Sequence, residues 1–181
     1  MSVLIFGDSL VKHIPPTENG YNIIAVPGLT TTKFLSDLIA NVYDSEIRAA
    51  KGAIILLGTN NLEEDTPRQR QRGTTTQPLA IVEELSEISS LLVSKNRQLK
   101  VAIGNLIPRD DQWKEKGKTV SNIISHRGAE EGWLLCPVHK TFLKKKHRKL
   151  QLIDTDGLHL TQWGTDLVKN YLTNFVEANF K

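Results

Sequence analysis

The sequence predicts a single α/β domain built on a parallel sheet, and three observations carry that expectation. Short apolar runs alternate along the chain with stretches of helical spacing, the pattern of repeated strand–helix units. The run from Ala53 to Leu57 is apolar throughout, as expected of a strand covered by helices on both faces. No repeat, low-complexity block or linker divides the 181 residues, so residues 1–181 read as one domain with one sizeable core.

The elements follow in order. Val3 to Phe6 is the first expected strand, Tyr21 to Val26 the second and Ala53 to Leu57 the third. Val101 to Ile107 is the fourth, interrupted by Gly104 and Asn105, and the fifth lies within Trp133 to Val138. Leu150 to Ile153 is a further short extended run. Phe34, Leu35, Leu38, Ile39 and Val42 mark a helical stripe that the threonines at 30 to 32 can cap. Ile81, Leu85, Ile88 and Leu92 mark another, entered through Pro78 in the first turn, where proline is tolerated. Leu167, Val168, Tyr171, Leu172 and Phe175 give the last helix, capped by Thr161. Five strands with helices between them suggest a doubly wound sandwich, in which ligands sit beyond the carboxyl ends of the strands.

Composition narrows the function classes. With 39% hydrophobic and 24% charged residues the chain reads as soluble and globular, not as disordered or membrane-spanning. The net charge of +3 permits contact with nucleic acid without demanding it. Cys136 is the only cysteine, which excludes an intrachain disulfide or a cysteine-rich zinc site and agrees with a reducing, intracellular compartment. Four apolar residues near the start are too few for a signal-peptide core, and no run is long enough to span a bilayer. His13, His126, His139 and His147 lack the paired spacing of a zinc site, and no metal is expected.

Four short blocks carry the chemistry. Ser9, in Gly7-Asp8-Ser9-Leu10, follows the first strand directly, where a side chain is displayed at the sheet edge or caps a helix. Val11 stands where the α/β-hydrolase elbow has its second glycine, so this is not that motif. Asp156 and His159, in Asp156-Gly157-Leu158-His159, are three apart. One turn can then present a base for a serine proton and the carboxylate that fixes the tautomer of that base. Asp154 is a competing carboxylate whose spacing gives it a different projection. Gly28, after the second strand, allows close backbone approach, and its N–H can be aimed at a developing oxyanion. Asn60, after the third, can offer its amide to the same oxyanion. Singly, a turn glycine and a turn asparagine are the commoner readings.

Together, Ser9, Gly28, Asn60 and His159 resemble the SGNH (GDSL) hydrolases, a family named for serine, glycine, asparagine and histidine, in the family's order and with Asp156 three before the histidine. The resemblance covers essentially the whole chain. It implies a three-layer α/β/α sandwich around a five-stranded parallel, flavodoxin-like sheet. It also implies a Ser9–His159–Asp156 triad, an oxyanion hole made by the Ser9 and Gly28 N–H groups with the Asn60 amide, and no metal or organic cofactor. The chain departs from the family where Asn61 replaces a frequent aspartate and Leu160 a frequent proline, positions expected to affect loop support. Within the family the segments look like small acetylhydrolases of the platelet-activating-factor type, or like esterase domains in the first open reading frame of LINE-type retrotransposons. The basic character and short length lean to the second.

The expected function is hydrolysis of a small ester or lipid substrate, with short acyl or acetyl groups favoured. The alternative is a catalytically idle SGNH-like domain that binds RNA or anionic lipid through basic clusters. The densest of these, Lys144, Lys145, Lys146, Arg148 and Lys149, is the candidate phosphate contact. Arg68, Arg70 and Arg72, and Lys114, Lys116 and Lys118, read as solvated faces. Arg109 and Trp163 are candidate substrate-lining residues, while Trp113 and Trp133 read as packing residues.

Overall fold

The apolar runs form the strands of a single sheet. The computed structural model describes residues 2–15, 20–63, 73–144 and 151–181. Among the described residues the strands are β1 (Val3–Gly7), β2 (Tyr21–Ala25), β3 (Gly52–Leu56), β4 (Lys100–Gly104) and β5 (Leu134–Cys136). They pair in parallel in the order β2-β1-β3-β4-β5. Gly7 is in register with Ala25 on one side and Leu56 on the other, so β1, β2 and β3 end level. The three loops that follow them, carrying Ser9, Gly28 and Asn60, therefore emerge side by side at the carboxyl edge.

Alternation explains the layers, because successive strand residues point to opposite faces. Leu4 and Phe6 pack with Phe34, Leu38, Ile47, Leu85 and Ile124 on one face. This is the side of α1 (Thr31–Ile39), α2 (Asp44–Ala49), α3 (Pro78–Lys95) and α4 (Lys114–Glu131). Val3 and Ile5 pack with Val168, Leu172 and Val176 of α5 (Gln162–Asn179) on the other. The result is the three-layer α/β/α sandwich.

Several boundaries differ from the sequence reading. β4 stops at Gly104 and not at Ile107, because the Leu106 N–H leaves the ladder to bond Ser121 Oγ at 3.0 Å. Helix α1 closes at Ile39, and Asn41 turns the chain with φ 61°, leaving Ile39 and Val42 exposed instead of in the core stripe. Helix α4 carries no readable stripe, since Val120, Ile123 and Ile124 are its only branched apolar residues. Of the run Leu150 to Ile153, Ile153 forms an antiparallel bridge with Leu160, and Leu150 lies outside the described residues.

Candidate active site

The Ser9 loop is a tight turn. Asp8 Oδ1 accepts the Leu10 N–H at 2.9 Å, and the Asp8 carbonyl accepts the Val11 N–H at 3.3 Å. Turns and not a helix follow to Ile14, so Ser9 caps nothing and stands half-buried at the edge of the sheet. The Asp156 loop meets it. His159 Nε2 lies 3.4 Å from Ser9 Oγ, and His159 Nδ1 lies 2.6 Å from Asp156 Oδ2. With the Nδ1 proton donated to Asp156, Nε2 is left as an acceptor for the Ser9 hydroxyl. Asp156 Oδ1 also accepts the Leu158 and His159 N–H groups, both at 2.9 Å. The His159 hydrogen bond, reinforced by these two, lowers the Asp156 carboxyl to about 2. Asp154 is directed elsewhere, its Oδ1 accepting the Thr155 N–H at 2.6 Å.

Gly157 lets this loop form. Its φ is 72°, and its carbonyl accepts the Asp110 N–H at 2.8 Å. A Cβ there would come within 2.9 Å of the Asp110–Asp111 backbone, so a side chain is excluded by both conformation and space.

The other side of the site is built on the ends of β2 and β3. Val26-Pro27-Gly28-Leu29 is a β-turn closed by Leu29 N–H to the Val26 carbonyl at 3.0 Å, with Gly28 at φ 74°. Proline second and glycine third are the residues a type II turn asks for. Asn60 sits in the 3-10 turn Thr59–Asn61 and reaches across both neighbouring loops. Its Nδ2 donates to the Leu29 carbonyl at 3.1 Å and to Asp8 Oδ2 at 3.2 Å. Among the described residues the N–H groups of Ser9 and Gly28 have no acceptor. A hydroxyl, an imidazole and a carboxylate in one hydrogen-bonded row, beside backbone N–H donors and an amide, can perform nucleophilic acyl transfer.

Residues 5–167 match the GDSL-like Lipase/Acylhydrolase family. The chain belongs to that family. Solved structures share the GDSL-like fold at low identity. A GDSL-like lipase from Bacteroides thetaiotaomicron has a TM-score of 0.74 at 16% identity, covering 98% of this chain and 88% of its own. The lipase/acylhydrolase from Enterococcus faecalis has 0.72 at 16%, covering 100% and 98%. The acetyl xylan esterase AlAXEase has 0.73 at 15%, covering 97% and 100%. No curated protein matches the chain by sequence. Membership of the GDSL-like family supports an esterase or acylhydrolase activity.

The structure also places the remaining expected residues of this GDSL-like domain, beginning with Arg109. This arginine is 5% exposed, donating to the Thr59 carbonyl and Glu63 Oε1 at 3.1 Å each and forming an ion pair with Asp111. A buried guanidinium with three partners clamps the β3 and β4 loops together, and Arg109 also borders a cleft with Pro108, Lys114 and His139. Trp163 is 60% exposed on the first turn of α5, four residues after His159. Trp113 and Trp133 pack against the core. Lys114 pairs with Asp110 and Lys118 with Glu115, both at 2.6 Å, and Lys116 donates to the Leu62 carbonyl. Lys144 is exposed, whereas Lys145, Lys146, Arg148 and Lys149 lie outside the described residues, as do Arg68, Arg70 and Arg72. Among the described residues no cluster of His, Cys, Asp or Glu could hold a metal, and no helix is long and apolar enough to cross a membrane.

Sequence reasoning expected the Asn61 position to affect loop support but missed the partners through which it does so. Asn61 is fully buried. It accepts the Thr31 N–H at 3.0 Å and donates to Thr31 Oγ1 at 2.8 Å and the Thr75 carbonyl at 2.9 Å. Glu84 accepts from the hydroxyls of Thr31, Thr32 and Thr75. Asp8 is also buried, and burial raises its carboxyl to about 6 against the opposing pull of the Leu10 N–H and the Arg109 charge. The three threonines and the asparagine repeat at Asn60-Asn61 were visible as polar residues near strand ends, but nothing local pointed to Glu84 as their common acceptor.

Proposed function

We propose that this GDSL-like protein is a serine esterase that hydrolyses short-acyl carboxylic esters through an acyl-enzyme on Ser9. The observation that carries the proposal is the unbroken row Ser9 Oγ, His159 Nε2, His159 Nδ1, Asp156 Oδ2. His159 takes the Ser9 proton as the oxygen attacks the ester carbonyl, and Asp156 steadies the imidazolium. The Ser9 and Gly28 N–H groups and the Asn60 amide meet the oxyanion. One Asn60 hydrogen leaves a bond of 3.1–3.2 Å to do so. The intermediate collapses, the ester C–O bond breaks and His159 protonates the departing alcohol. Water deprotonated by His159 then attacks the acyl group, releasing the acid and restoring Ser9.

The exposure of the acid–base pair suits esters of bulky or soluble alcohols. The side chains of His159 and Asp156 are 50% and 51% exposed, open to water and to an alcohol of any size. The non-catalytic alternative rests on the cluster Lys144, Lys145, Lys146, Arg148 and Lys149, of which all but the exposed Lys144 lie outside the described residues.

The test is hydrolysis of p-nitrophenyl esters from acetyl upward, with fluorophosphonate labelling. Activity should be greatest on the shortest acyl groups, and Ser9→Ala should lose both activity and labelling. Full activity in Ser9→Ala overturns the nucleophile. Tight, salt-sensitive RNA binding with no esterase activity would replace the proposal with the binding alternative.

A further inference from the structure

Directly beneath the Ser9 and Asn60 loops lies a cavity of about 10 Å³. Its wall includes Asp8, Thr59 and Asn105 and is otherwise apolar, and none of its residues is more than 8% exposed. Two of the residues in that wall carry a buried polar atom, Thr59 Oγ1 and Asn105 Oδ1, that has no hydrogen-bond partner among the described residues. The orientation of Asn105 is fixed by chemistry. Its Nδ2 donates to the Ser121 carbonyl at 2.7 Å and to Ser125 Oγ at 2.9 Å, and a flip would set oxygen against the carbonyl oxygen. Its Oδ1 therefore requires a donor from elsewhere. Buried polar atoms without partners are uncommon, and two lining one cavity call for a shared explanation.

From this geometry we infer that the cavity is the site of one structural water that bridges Thr59, Asn105 and Asp8 and positions the Asn60 turn. The volume is about what a single water requires, and three polar partners fall within its usual two to four. The donors and acceptors balance. The water accepts the Thr59 hydroxyl proton and donates to Asn105 Oδ1 and to the Asp8 carboxylate, which keeps free lone pairs beside its bonds to Leu10 and Asn60. A hard cation such as calcium is a poorer occupant, since it takes six to eight oxygen ligands and only three of the lining residues carry side-chain oxygen.

The consequence lies in what the bridge joins. Asp8 follows β1, Thr59 follows β3 and Asn105 follows β4. Arg109 already holds the Thr59 carbonyl from one side at 3.1 Å. A water on Thr59 Oγ1 holds the same residue from beneath, one position before Asn60. Thr59 is thus a positioning residue for the amide that meets the oxyanion, a role that rests on the esterase reading, whereas the water site does not.

The isosteric change Thr59→Val decides the matter by its sign. In a dry cavity, removing an unsatisfied hydroxyl relieves the fold, and Tm rises. With the water present the change strands Asn105 and Asp8, and we expect Tm to fall by about 2–4 °C. We also expect kcat to fall roughly five-fold or more at unchanged KM, with Thr59→Ser restoring both. A high-resolution crystal structure of the unmutated protein should show one ordered water in contact with Thr59 Oγ1 and Asn105 Oδ1. An empty cavity, or a Thr59→Val protein that is more stable, overturns the inference. If Ser9→Ala keeps activity while the water is seen, the esterase reading fails and the site stands. If Ser9→Ala is inert and the cavity is empty, the reverse holds.

Discussion

Asn60 and His159 both reach the Ser9 loop, yet the loops that present them are anchored in opposite surroundings. The Asn60 turn is fixed from within by fully buried Asn61, by the Arg109 clamp on Thr59 and by Asp8. The His159 loop lies in the open. Its Asp156 and His159 side chains are about half exposed, and its shape comes from backbone bonds, notably Asp154 N–H to the His159 carbonyl at 2.7 Å and Asp110 N–H to the Gly157 carbonyl at 2.8 Å. One half of the site is held by side chains in a low-dielectric interior, the other by turn chemistry in water. Donors held rigidly in a dry setting suit stabilisation of a developing charge, because they need no reorganisation when it appears. In the proposed mechanism the His159 imidazole serves serine, alcohol and water in turn, which suits a place where water has access. Damage to the buried half should therefore reduce stability and turnover together, and damage to the open half should reduce turnover alone.

The largest effect expected belongs to the open half. Asp156→Asn should lower kcat by roughly 10,000-fold through loss of the correct imidazole tautomer. Its Tm should stay within about 2 °C of the unmutated protein, since a half-exposed side chain contributes little. Ester hydrolysis and thermal unfolding on the same preparation measure both. A Tm collapse would erase the contrast between the halves. Asn61→Ala probes the buried half. It leaves the Thr31 N–H and the Thr75 carbonyl without their partner, so unfolding should become easier by about 3–5 kcal/mol, with turnover falling alongside. Urea unfolding at 25 °C reads the loss. Unchanged stability would mean that the interior network is dispensable.

The same contrast explains what was legible in the sequence. Strands one to three and helices α1, α3 and α5 announce themselves through local periodicity, and the Asp156–His159 pairing is contained within four residues and one turn. Ser9, His159 and Asp156 come together from blocks whose proposed roles rested on their joint resemblance to the family and not on any one local spacing. The supporting network was hidden because its partners are far apart along the chain. Asn61 bonds residues 30 positions before it, and Glu84 serves threonines 52 and 53 positions away. Arg109 reads as a substrate-lining candidate, and nothing local shows that Glu63, 46 positions before it, converges on it with Asp111. Helix α4 was missed because only three branched apolar residues face its neighbours, the rest of its surface being polar.

Two carboxylates sharpen the comparison, because pH should act on them in opposite senses. Asp156 is held at about 2, so its favourable interactions persist above the unfolded value near 4 and are lost only as pH falls through that range towards 2. Asp8 is raised from 3.8 to about 6. Between those values the folded protein binds the proton that the unfolded chain has released, so stability falls as pH rises from about 4 to 6. The loss is complete above 6 and is on the order of 3 kcal/mol at most, since each pH step between the folded and unfolded values is worth about 1.4 kcal/mol. In Asp8→Asn this penalty is absent. Its amide opposes the Asn60 amide as donor against donor, which lowers stability by an amount independent of pH. The stability of Asp8→Asn relative to the unmutated protein should therefore climb between pH 4 and pH 7 in urea titrations, whatever its starting offset. A flat difference would show that the Asp8 carboxylate ionises as easily in the fold as out of it, and the buried half of the site would then be wetter than its packing implies.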